Sequence, residues 1–155
     1  MKTTDILAKD SIAINIRVND KKELLETMVQ MASRSGNIIR LDDATREIFE
    51  RERIMSTGIG KGIAIPHAKT NAVKETIAAL ATLDEPIDFD SIDDKPVDLV
   101  FLLLGRENNV GMHLRLLSKI SRYLNNESFK SQIYEANSPE DVINVFKNIE
   151  ENDIQ

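Results

Sequence analysis

From Ile12 to Val18 apolar and polar residues alternate with a period of two, which predicts a half-buried strand. Asp20 and Glu23 then form the pattern of a capping box. Behind it Leu24, Leu25, Met28, Val29 and Ala32 recur at helical spacing, so a helix is expected over residues 21–34, broken by Gly36-Asn37. A second helix is expected from Asp42 or Asp43, through Ala44 and Ile48, to Arg53. Residues 77–83 read as a strand. Asp84-Glu85-Pro86 and Asp93-Asp94-Lys95-Pro96 read as turns. Residues 97–104 are almost continuously apolar, as in a strand covered on both faces. A helix over residues 109–124 follows. Ser138 and Pro139 occupy the N-cap and first position of a last helix, which turns Val142, Ile143, Phe146 and Ile149 inward.

Helices alternating with strands, one strand buried on both faces, predict a three-layer α/β/α sandwich. No repeat or linker interrupts the 155 residues, so a single domain over 1–155 is expected. The absence of cysteine excludes disulfides, thiolate metal sites and cysteine nucleophiles. A net charge of −6 and 5% aromatic residues, none of them tryptophan, argue against nucleic acid as a partner. The longest apolar run, Leu99 to Leu104, is far too short to cross a membrane, and the N-terminus has no apolar leader segment. No membrane insertion and a cytoplasmic location are the expectations.

The stretch most suggestive of chemistry runs from Ser56 to His67, with glycines at 58, 60 and 62. Alternate glycines let another surface approach the backbone closely. Pro66 biases Ile65 towards an extended conformation and so restricts how His67 is presented. His113, the second histidine, shares a helix face with Leu117, Ile120 and Leu124 and lies in the first turn, where an anion is favoured. A half-buried histidine helping to cap a helix is the plainer account of it. Arg51 ends the second helix just before the glycines, and its donor fork matches phosphate oxygens; a solvated helix end is its alternative. Ser56 and Thr57 offer hydroxyls. Lys61, Lys69 and Arg115 read as solvated charge. The aspartates at 88, 90, 93 and 94 lack EF-hand spacing, and no metal site is expected. Dinucleotide, Walker, zinc-protease and nucleophile-elbow motifs are all absent.

Neutral imidazole is nucleophilic near pH 7, and phosphoryl transfer asks the protein chiefly for positioning and electrostatics. An arginine fork, a second imidazole, hydroxyls and a helix N-terminus are suitable donors. The run from Ser56 to His67 resembles the phosphorylation-site signature of the fructose/mannitol-type IIA domains of the bacterial phosphoenolpyruvate-dependent phosphotransferase system. The likeness extends to Arg51-Glu52, to Phe89-Asp90-Ser91-Ile92-Asp93, to Pro96-Val97-Asp98-Leu99 and to His113-Leu114. Ala68 stands where that family more often has glycine.

The resemblance implies a mixed sheet flanked by helices, no cofactor, and His67 as the phosphorylated residue, modified at Nε2. It implies that Arg51 and His113 stabilise the phosphoryl group, with Thr57 and Ser56 as further phosphate-binding candidates. It also implies an HPr-like phosphocarrier as donor. The segment from Phe89 to Leu99 and the stand-alone domain lean towards the nitrogen-regulatory IIA subgroup, which signals to target proteins by phosphorylation state. The alternative is a sugar-uptake component passing phosphate to a IIB domain. A metal-dependent hydrolase using both histidines is a remote third class.

Overall fold

The computed structural model describes residues 1–153. Its core is a mixed six-stranded sheet built from β1 (Ile12–Ile16), β2 (Gly58–Gly60), β3 (Ile63–Ala64), β4 (His67–Thr70), β5 (Ile77–Ile87) and β6 (Val97–Arg106). The order is β1-β5-β6-β3-β2, and β4 also pairs with β6. β5 is antiparallel to β6, whereas β3 and β4 run parallel to it one after the other along the same side. On the register, Ala64 faces Val100 and His67 faces Leu103.

Alternation along β6 divides the apolar interior in two. Val100, Leu102 and Leu104 pack with α1 (Lys21–Ser33) and α2 (Leu41–Ile54). Leu99, Phe101 and Leu103 pack with α3 (Val110–Leu124), α4 (Glu127–Glu135) and α5 (Pro139–Glu151). Burial of β6 on both sides is what its unbroken apolar run requires. The result is the expected three-layer α/β/α sandwich with a mixed sheet.

Helix starts follow local chemistry. Asp20 accepts from Glu23 N–H at 2.8 Å, and Ser138 accepts from Asp141 N–H with Pro139 in the first turn. Two expectations need correction, and four short elements lie outside them. β1 stops at Ile16, and its register with β5 shifts between Ala13 and Ile16, where Asn15 has φ 53° and donates its N–H to Thr82 Oγ1. β5 continues through Asp84-Glu85-Pro86. The proline is tolerated because the register with β6 slips between Thr82 and Ile87, so no ladder bond needs its missing N–H. The glycine segment holds β2, β3 and β4, too short for a periodic signal. α4 was hidden by its length, although Asn126 caps it and Phe129 and Ile133 form its buried face.

Candidate phosphoryl-transfer site

β2 and β3 form a hairpin closed by Lys61 and Gly62, with φ of 58° and 81°, the pattern of a two-residue primed turn. The surface that approaches the glycines belongs to the chain itself. A β-carbon at position 58 would fall 2.3 Å from Ser91 Oγ, and Ile92 N–H donates to Gly58 O at 3.1 Å. The segment around Ser91 therefore lies directly on the hairpin.

Pro66 interrupts the line from β3 to β4, and the chain re-enters the sheet at His67. The imidazole Nδ1–H donates to Ile65 O at 2.8 Å, because a carbonyl can only accept. In the neutral ring Nε2 then carries the lone pair. Burial pushes the His67 pKa down and the charge of Arg51 pushes it further; the Ile65 bond and Glu52 oppose them without reversing the shift. The His67 ring is thus neutral and tautomer-fixed at pH 7.

His113 faces it from the first turn of α3, with ring centroids 5.7 Å apart and planes inclined at 49°. Only 3% of its surface is exposed. Burial, then repulsion from His67 once that ring is itself protonated and from Lys69, hold its pKa down at about 4. Its Nδ1 is buried without a hydrogen-bond partner.

Arg51 sits in the last turn of α2, where Nη1 donates to Met55 O at 3.0 Å. Arg51, His67 and His113 line one cleft of about 620 Å³, together with Arg46, Lys69 and Glu107. Arg46 is bound by carboxylates of its own helix, 2.8 Å from Asp43 and 3.7 Å from Glu50. Arg51 and Lys69 make no ion pair among the described residues. They are the cations left available to an anion beside His67.

Ser56 and Thr57, the further phosphate-binding candidates, do not line this cleft. Thr57 is buried, and its N–H and Oγ1–H both donate to Glu52, at 2.8 Å and 2.7 Å. Ser56 Oγ donates to Phe89 O at 2.9 Å and lines a neighbouring cleft of about 730 Å³ that contains no histidine. Glu52, which the sequence pattern marks only as the neighbour of Arg51, is buried. It ties the end of α2 to the start of β2, and Lys21 Nζ lies 3.2 Å from it. Lys69 is exposed, as expected of a solvated charge, and shares the strand face of His67 at the spacing of two that strand geometry supplies. Among the described residues no group of three His, Cys, Asp or Glu side chains could hold a metal ion, and no helix is long and apolar enough to cross a membrane.

Residues 5–149 match the family described as phosphoenolpyruvate-dependent sugar phosphotransferase system, EIIA 2. The chain belongs to that family. A nitrogen regulatory protein of Bradyrhizobium diazoefficiens is 36% identical over 86% of this chain and 86% of that protein. The fructose-specific EIIA component of Haloferax volcanii is 38% identical over 84% and 85%. The fructose-specific EIIABC component of Bacillus subtilis is 35% identical, but the chain spans only 23% of its length. Among solved structures, nitrogen regulatory protein IIA-Ntr of Neisseria meningitidis superimposes with a TM-score of 0.86 at 34% identity, covering 92% of this chain and 97% of that one. IIA mannitol of Escherichia coli shares the fold at 20% identity, with a TM-score of 0.76 over 90% of this chain and 97% of that one. The chain is a IIA domain, related to both nitrogen-regulatory and sugar-specific members.

Proposed function

We propose that His67 accepts a phosphoryl group on Nε2 from the phosphohistidine of an HPr-like carrier, and that its phosphorylation state is read by regulatory target proteins. The Nε2 lone pair attacks phosphorus in line. The P–N bond to the carrier breaks, and its electron pair stays on the departing imidazole. Charge on the three equatorial oxygens meets Arg51, Lys69 and the His113 ring, and the surrounding groups need only hold position. The single observation that carries this reading is the His67 Nδ1–H bond to Ile65 O, which leaves Nε2 bare on a cleft shared with His113 and Arg51. The likeness to nitrogen regulatory proteins over most of both chains supports the regulatory output.

A second reading, transfer onward to a IIB domain in sugar uptake, is favoured by the likeness to fructose-specific components. Among the solved relatives is a complex of IIA mannitol with phosphorylated IIB mannitol.

The test uses radiolabelled phosphoenolpyruvate with the general phosphotransferase components and HPr. Wild type takes up one acid-labile phosphate and His67→Ala takes up none; labelling retained in the variant refutes the assignment. Addition of a fructose-type IIB domain separates the two outputs. Rapid discharge to IIB replaces the regulatory reading with the transport one.

A further inference from the structure

β6 lays Leu99, Phe101 and Leu103 against the α3 side of the sheet, and the next position on that side is Gly105. The row of apolar side chains stops there, and the His113 ring fills the space. A β-carbon at 105 would fall 2.3 Å from His113 Nδ1, 3.2 Å from Cε1 and 3.3 Å from Cγ. These three nearest atoms all belong to the one imidazole. The glycine hydrogen in that direction therefore points at Nδ1, which is buried and otherwise unpartnered.

A C–H bond is a tolerable neighbour for an acceptor lone pair, as in other weak Cα–H contacts. It is a poor one for a buried N–H, which would remain an unpaired donor. The neutral ring thus carries its proton on Nε2, the nitrogen on the far side from Gly105. His67 has the opposite tautomer, with Nδ1–H on Ile65 O. One imidazole presents a lone pair to the cleft and the other presents an N–H.

We propose that Gly105 is a positioning residue for phosphoryl transfer: it admits the His113 ring with Nδ1 inward and bare, so that Nε2–H is aimed at the phosphoryl group on His67. The proposal rests on the reading of His67 given above and names a residue that acts through His113. Alanine at 105 has to push the ring outward, and a misplacement near 1 Å costs on the order of 10²-fold in rate.

Two measurements decide it. Long-range ¹⁵N imidazole spectra of the unphosphorylated wild type are expected to show His113 as the Nε2–H tautomer and His67 as the Nδ1–H tautomer. An Nδ1–H tautomer at His113 overturns the proposal. These spectra need no phosphate donor, so they stand even where wild type proves not to be phosphorylated and the functional reading itself fails. The second is a cycle of Gly105→Ala, His113→Ala and the double variant, read as the rate of transfer from phosphorylated HPr. Gly105→Ala is expected to slow transfer by about 10²-fold, and the double variant is expected to match His113→Ala alone, because the ring that clashes is gone. Wild-type rate in Gly105→Ala, or a double variant slower than His113→Ala by the full Gly105 factor, overturns the role. Should Gly105→Ala fail to fold, a folded double variant with the rate of His113→Ala upholds it, and an unfolded one overturns it.

Discussion

At the scale of single residues the two histidines are opposites held by opposite means. His67 has a hydrogen bond that fixes its proton on Nδ1, while His113 has burial and no partner at Nδ1. Burial leaves a signature in acid. The folded-state pKa of His113 is about 4, against about 6.5 for an unperturbed imidazole. Above pH ~6.5 the ring is neutral in both states and contributes no slope. Between ~6.5 and 4 the unfolded chain binds the extra proton, so stability falls as pH falls, and the loss is complete below the folded value. The expected outcome is a urea midpoint that drops from pH 7 to pH 4.5 more steeply in wild type than in His113→Gln, which keeps the carboxylates and loses this titration. Parallel pH profiles for the two proteins would remove burial of His113 as the cause.

Elements place these residues, and the shortest elements do most of it. The β2–β3 hairpin is held from one side by Glu52 of α2 and from the other by the segment carrying Ser91. Alanine at 58 would bring a β-carbon within 2.9 Å of the Ser91 backbone as well as onto its hydroxyl, and backbone cannot rotate away. Gly58→Ala is therefore expected to destabilise by about 1–3 kcal/mol, in the range of overpacked sites. Gly111→Ala is the contrast. There the nearest atom is the flexible guanidinium of Arg115, at 3.3 Å, and the position is helical, so no loss is expected. Urea denaturation of both variants checks the pair, and equal stability would mean the Ser91 segment yields. The same hairpin shows where sequence reading stops. α1, α2, α3 and α5 were legible because a dozen or more residues carry their period and caps. β2, β3 and β4 span three, two and four residues, too few for alternation to register. His67, His113 and Arg51 could be singled out by type and position. The commitments of Ser56 and Thr57 to Phe89 and Glu52 could not, since those bonds exist only once α2 and the loop are folded onto the hairpin. Gly105 had a faint signal, a glycine ending an apolar strand shortly before His113, but the reason for it lies in a contact across two elements.

For the molecule as a whole, the cleft is a product of both helical layers. Arg51 comes from α2 on one side of the sheet, His113 comes from α3 on the other, and His67 stands on β4 at the flank of β6 between them. Any shift of α3 relative to the sheet moves His113 without moving His67, so under the proposed function the apolar contacts under α3 are expected to bear on rate as well as stability. Leu103 lies beside His67 in the ladder, fully buried on the α3 side. Leu24 is equally buried, but belongs to α1, a helix that contributes nothing to the cleft. Truncating either to alanine removes the same atoms and is expected to cost about 2–5 kcal/mol. The rates should then part company. At a temperature where both variants are fully folded, Leu24→Ala is expected to accept phosphate at close to the wild-type rate. Leu103→Ala, with a cavity beside His67 on the α3 side of the sheet, is expected to be slower by about tenfold or more, as the facing groups lose their alignment. Denaturation curves paired with transfer rates on the same samples check this. Equal rates in the two variants would mean that the site tolerates movement of α3 and that its geometry is set by β4 alone.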